Sequence, residues 1–190
     1  MTGDLRPTDD PADALLFQDS LDMSLVLPVQ VVPSSAPGRQ TQAVTLLHGL
    51  AQIEDLRKDE GAAEESGDLP LLAQRMDAKL DLILALVGRL AMRADGLPER
   101  PLRWSAAGVR VDLEDAADLT LAASALVRLQ PAQWLPDHLE LPARVVARRN
   151  IDNGVRLWLA FVDLRADLVE ALDRHLFRLH RREVAEQRRR

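Results

Sequence analysis

Apolar side chains at Leu69, Ala73, Met76, Leu80, Ile83, Val87, Leu90 and Ala94 are separated by steps that alternate four and three. That is the period of a coiled-coil seam, and it predicts one helix over 69–94. At about 1.5 Å per residue the helix would reach roughly 39 Å, long for a chain of this size. With Leu69 set at position d, Leu80 falls at a and Ile83 at d, an order that favours four strands over two. The flanking e and g positions hold Leu72, Leu84, Leu86 and Ala91, where a dimeric zipper carries charge. So wide an apolar front leaves two arrangements. Either several copies bundle through this helix, a homotetramer being the preferred assembly, or a neighbouring helix of the same chain covers the excess.

That neighbour is predicted over 40–58, where Ala43, Leu46, Leu50 and Ile53 form a stripe with Val44 and Leu47 beside it. Asp68 suits an N-cap ahead of Pro70, and Gly96-Leu97-Pro98 ends the heptad helix. Elsewhere the period falls to two. Strands are predicted over 25–32, 102–104, 108–112, 120–129, 139–149 and 155–163. In the last, Val155, Leu157, Leu159 and Phe161 alternate with Arg156, Trp158, Ala160 and Val162. Pro28 marks the first strand as an edge or a bend. Asn153-Gly154 predicts a hairpin. Short strands divided by turns predict a closed antiparallel barrel. A final helix is expected over 165–184, with Leu168, Leu172, Leu176 and Leu179 along one side. Residues 1–24 are acidic and read as a loosely ordered arm.

Composition narrows the function. The chain has 190 residues, net charge −6 and 3% aromatics without Tyr, which argues against general nucleic-acid binding. It has no Cys, so thiolate metal sites, disulfides and a thiol nucleophile are absent. The first twenty residues carry Asp4, Asp9, Asp10, Asp13 and Asp19 against Arg6, unlike a secretory leader. The longest apolar run, 82–87, is too short to span a bilayer. A cytoplasmic protein with no cofactor and no membrane insertion is expected.

No nucleophile elbow or phosphate-binding loop is present, and Ser105 has no evident His partner in sequence. His175 and His180 stand five apart on the last helix, point to different sides and are expected in solvent rather than on a metal. Arg144, Arg148, Arg149 and Arg156 straddle the Asn153-Gly154 hairpin, and Arg174, Arg178, Arg181 and Arg182 line the end of the last helix. These are solvated faces or, with Trp158, a docking patch for an acidic partner. Trp158 alternates against Leu157 and Leu159, which places it outside the barrel, as a partner anchor or beneath the C-terminal helix. Trp104 and Trp134 are open to either a core or an anchoring role.

The order of these segments resembles a known family. The run Leu102-Arg103-Trp104-Ser105-Ala106-Ala107-Gly108-Val109-Arg110-Val111 resembles the opening of a PilZ domain. So do 141–150 and 155–161 leading into a leucine-rich helix. The helical segment after the first strand is similar to the atypical, tetrameric PilZ-type proteins of xanthomonads. Typical PilZ domains are receptors for cyclic di-GMP. They use an Arg-x-x-x-Arg segment before the barrel and an Asp/Asn-x-Ser-x-x-Gly motif on a following strand, since a doubly anionic ligand wants guanidinium contacts. Here Ser105 and Gly108 keep the register of the second motif, Arg103 stands at its acidic or amide position, and the first motif is absent.

The resemblance therefore implies an α+β protein: a PilZ-like antiparallel β-barrel (25–39 and 96–190) with a C-terminal helix. The segment 40–95 would be an inserted helical oligomerisation hairpin. It also implies a non-enzymatic regulatory adaptor of cyclic di-GMP signalling, with lost or weak ligand binding and an unidentified protein partner. The alternative is a true cyclic di-GMP receptor using Arg103 and Arg110 with Arg148 or Arg149.

Overall fold

The alternating segments close on themselves. A computed structural model describes residues 10–59, 76, 80, 87, 96–132, 135 and 137–188. It contains, in chain order, α1 (Pro11–Phe17), β1 (Asp22–Pro33), α2 (Gln40–Asp59), β2 (Glu99–Ser105), β3 (Gly108–Leu113), β4 (Ser124–Leu129), β5 (Leu139–Ile151), β6 (Gly154–Phe161) and α3 (Ala166–Gln187). The strands form a closed barrel in the order β1-β2-β3-β6-β5-β4, and every pairing is antiparallel.

β1 makes the closure possible by serving two partners. Asp22 to Pro28 pair with β2, and Val29 to Pro33 pair with β4. Pro28, which has no N–H to donate, stands at the hand-over. It therefore marks a bend and not an edge, because a closed barrel has no edge. Inward-facing positions alternate as the pattern demands. Val29, Leu102, Trp104, Val109, Val111, Val127, Leu129, Leu139, Leu141, Val145, Leu157 and Leu159 are buried in one core. A register shift between Val145 and Ala147 adds a residue to β5 and brings Val146 and Ala147 to the outer side. The β5–β6 hairpin turns on Asp152 and Asn153, one residue earlier than the Asn-Gly signal suggests. Gly154 opens β6 with φ +139, a conformation for which Gly is suited.

Two expectations change. Residues 10–24 are not a loose arm: Asp10 caps α1 by accepting from the Ala12 N–H, Pro11 fills the first turn, and β1 already starts at Asp22. The α2 helix, assigned to the inserted hairpin, packs on the barrel core and α3, while the hairpin's other arm lies mostly outside the described residues. Ala43 and Leu47 join the core with Leu168, Ala171, Leu172 and Leu176 of α3. Buried Glu54 of α2 ties it further to α3 through Arg182 at 2.9 Å and Arg178 at 3.6 Å. His175, expected in solvent, lies on the inward stripe of α3 and is fully buried, its ring 5.7 Å from that of Trp104.

Of the predicted seam, Met76, Leu80 and Val87 are helical and expose 60%, 54% and 56% of their surface. Leu69, Ala73, Ile83, Leu90 and Ala94 lie outside the described residues, as do Asp68, Pro70 and Trp134. Among the described residues no helix is long and apolar enough to cross a membrane.

Candidate functional site beneath the first helix

Strand register lines up one row of side chains on the outer surface of the barrel. Ser24 pairs with Arg103, Arg103 with Arg110, Arg110 with Trp158, and Trp158 with Ala147. The row thus crosses β1, β2, β3, β6 and β5. Two guanidinium groups directly opposite each other destabilise a sheet unless an anion lies between them. That anion is Asp13 of α1. Its Oδ2 accepts from Arg110 Nη1 at 2.8 Å and from Arg103 Nη1 at 3.2 Å. Its Oδ1 accepts from Trp158 Nε1 at 2.6 Å and from Arg110 Nη1 at 3.2 Å.

The clamp is dry. Asp13 is 6% exposed, Arg110 2% and Trp158 0%. Burial holds the Arg110 guanidinium below its usual value, Asp13 opposes the shift, and Arg156 and Arg103 add to it. Arg103 has a second carboxylate, donating from Nε to Asp22 at 2.6 Å and from Nη2 at 3.2 Å, and its guanidinium lies 4.2 Å over the Phe17 ring.

A second row repeats the motif. Arg149 pairs across strands with Arg156, and Arg156 with Asp112. Asp112 takes Arg156 in a two-point bond of 2.7 and 2.8 Å, while Arg149 reaches Asp10, the cap of α1, at 2.6 Å. Below the first row, Ser105 Oγ donates to the Leu16 carbonyl at 2.6 Å and accepts the Ala107 and Gly108 N–H groups. A Cβ on Gly108 would stand 2.3 Å from the Leu159 carbonyl oxygen and 2.8 Å from Leu16 Cδ2. Ser105 and Gly108 therefore shape the turn and seat α1 at once. Ala12, Leu16 and Phe17 pack on Trp158, with Val146, Ala147 and Ala160 around them. This cluster is distinct from the barrel core.

The structure thus brings Arg103, Ser105 and Gly108 together with Arg110; Arg103 and Arg110 are the pair that the alternative reading names. Of the predicted patch, Arg149, Arg156 and Trp158 share the outer face, with the Arg149 guanidinium 5.9 Å over the Trp158 ring, while Arg148 does not join them. Trp158 does lie outside the barrel, but the helix covering it is α1 and not the C-terminal one. Arg156 is 9% exposed and held by Asp112. Arg148 is in register with inward Leu157 and so faces away from Arg149. Arg144, Arg148 and Arg149 keep exposed side chains. Asp10, Asp13, Asp22 and Asp112 are the residues that sequence reasoning passed over. The Asp10-Pro11 pair, an N-cap followed by a first-turn proline, was the signal for α1. Among the described residues, no group of three His, Asp or Glu side chains could hold a metal ion.

This barrel and its outer face define a PilZ-type domain, and the comparisons agree. A family model described as an atypical PilZ domain, cyclic di-GMP receptor, matches residues 47–189. A crystal structure of a pathogenic protein from Xanthomonas campestris is described as a tetrameric PilZ domain self-assembled via a helical bundle. It is 47% identical, covers 92% of this chain and 95% of its own, and superposes with a TM-score of 0.77. The chain belongs to the atypical PilZ family. The Bacillus subtilis inhibitor of motility MotI/DgrA (14% identity, 86% of this chain and 51% of that one) reaches a TM-score of 0.45. The PilZ domain of YcgR from Escherichia coli, solved with c-di-GMP (19% identity, 47% of this chain and 76% of that one), reaches 0.38. No curated protein matches the sequence.

Proposed function

We propose that the protein is a non-enzymatic, cytoplasmic regulatory adaptor of cyclic di-GMP signalling. It assembles as a homotetramer through the heptad helix, presents several barrels to a protein partner, and binds cyclic di-GMP weakly or not at all. The observation that carries the last point is Asp13: its carboxylate occupies the guanidinium pair, Arg103 and Arg110, that an anionic ligand would need. Assembly is supported by Met76, Leu80 and Val87, three apolar seam positions that are exposed in the single chain. It is supported too by the helical bundle described for the Xanthomonas campestris relative. Several linked barrels bind a repeated partner more strongly than one, so assembly and adaptor work belong together.

Light scattering tests the assembly. The native chain is expected at four times its monomer mass, and Leu80→Glu with Val87→Glu at a lower one; a monomeric native protein overturns it. Calorimetry with cyclic di-GMP tests the ligand. Little or no heat is expected at micromolar concentrations. The receptor reading draws its support from the family description, and it requires Arg103 and Arg110 to trade Asp13 for a phosphodiester. Micromolar binding that disappears in Arg103→Ala would establish that reading instead.

A further inference from the structure

We propose that the outer face of β2, β3, β6 and β5 is a docking site for an acidic, amphipathic segment of a partner protein, and that α1 is its internal occupant. This rests on the adaptor reading and gives the partner a chemistry. The face is built for carboxylates: it carries two cross-strand pairs of like charge, Arg103 with Arg110 and Arg149 with Arg156. The barrel itself supplies one carboxylate to each pair, Asp22 to Arg103 and Asp112 to Arg156. The other two, Asp13 and Asp10, arrive on α1. Beside the cations lies an apolar seat of Trp158, Val146, Ala147 and Ala160 that receives Leu16 and Phe17. A cyclic dinucleotide could meet the demand for negative charge, but the aliphatic and phenyl contacts of this seat suit a peptide.

The pattern the face reads is therefore printed in α1: Asp10, Asp13 one turn later, then Leu16 and Phe17 one turn beyond, all on one helical side. A partner segment with that spacing makes the same bonds. Displacement leaves the main core closed, because the buried cluster under α1 is separate from it. The tether gives α1 an effective concentration in the millimolar range. A segment acting in trans therefore competes well only when several are engaged together, which the proposed tetramer provides.

The test uses the full chain with Leu16→Ala and Phe17→Ala, which loosens α1 and substitutes none of the arginines. A synthetic peptide of residues 10–19 is titrated into it by calorimetry, beside the same peptide carrying Asp13→Asn. The expected result is saturable binding that weakens at least ten-fold with the Asn peptide and weakens further as salt rises. No binding to a variant that still unfolds cooperatively, or equal binding of both peptides, overturns the proposal. Cyclic di-GMP that binds the loosened chain more tightly than the peptide also overturns it. If the double variant does not fold, hydrogen exchange on the native chain decides. The α1 amides are expected to exchange at least ten-fold faster than those of β3 and β6, and equal protection refutes a displaceable helix. Solution mass is independent of all these readings, so failure of the docking site and failure of the adaptor assembly remain distinguishable.

Discussion

Replacing Asp13 by alanine removes one carboxylate from three donors: Arg103, Arg110 and Trp158. The cost depends on which donor is left stranded. Arg103 keeps its two bonds to Asp22 and loses little. The Trp158 Nε1–H, on a side chain with no exposed surface, costs about 1–3 kcal/mol if its bond is not replaced. Breaking a buried ion pair such as Asp13–Arg110 costs about 3–5 kcal/mol, against about 0–1 for an exposed pair. These values overlap and do not add. There is also a ceiling, because α1 can lift and let Arg110 reach water instead of holding it buried and uncompensated. The low end, about 3 kcal/mol, is therefore expected for Asp13→Ala. Denaturant unfolding at pH 7 measures it as a fall in midpoint at unchanged slope. Asp22→Ala, at a carboxylate that is more exposed, is expected to cost about 1 kcal/mol or less. A loss below about 1 kcal/mol for Asp13→Ala, with the α1 amides still protected from exchange, would refute the buried-clamp reasoning.

Two further perturbations read other parts of the fold. His175 is fully buried beside Trp104, neither ring nitrogen makes a hydrogen bond, and burial, with Arg178 next in weight, pushes it down to about 4. The Pro131 backbone opposes that shift from outside hydrogen-bond geometry. The folded state thus keeps the ring neutral where the unfolded chain would protonate it. The stability is fully present above pH 6.5 and is lost as pH falls from 6.5 towards 4, by about 3 kcal/mol in all. His175→Leu is expected to shrink the difference between unfolding midpoints at pH 7 and pH 5; an unchanged difference refutes it. Gly108→Ala and Gly49→Ala form a matched pair. The first drives a Cβ to 2.3 Å from the Leu159 carbonyl oxygen and is expected to lower the thermal midpoint by several degrees. The second meets nothing within 4 Å inside α2 and is expected to stabilise by about 0.5–1 kcal/mol; equal effects of the two would refute the packing role of Gly108.

The parts of this architecture that were legible in the sequence are those written in a period. Alternation placed six strands, and Leu168, Leu172 and Leu176 placed the inner face of α3. What stayed hidden depends on convergence in space. Asp13 sits among Asp4, Asp9, Asp10 and Asp19, and acidic composition outweighed the Asp10-Pro11 helix start. Its three partners stand at positions 103, 110 and 158, brought together only by the strand order β2-β3-β6. His175 was misjudged for a related reason. Its type suggests solvent, but it occupies the inward stripe one residue before Leu176, and packing overrode polarity there. The α2 stripe shows the limit of a period: Ala43 and Leu47 face the barrel core and α3, and periodicity reports that a face is covered without saying by what.

The acidic N-terminal stretch and the degenerate binding motif, two oddities when read apart, become one feature in the folded chain. The resemblance to typical PilZ domains leads one to expect arginines on the segment before the barrel and an acid or amide on the strand. Here the charges are exchanged. Arg103 stands on the strand, and Asp10 and Asp13 stand on the segment before it, with the carboxylates spaced by one helical turn. The exchange keeps the attraction between segment and barrel: Asp13 meets Arg103 and Arg110, and Asp10 meets Arg149. Ser105 and Gly108 survive it because their work is local: one hydroxyl bonds the Leu16 carbonyl and the turn amides, and one missing Cβ lets Leu16 approach. The face carries its own counter-charge in Asp10 and Asp13, and under the docking proposal a competitor needs the same pattern of charge and apolar contact to open it.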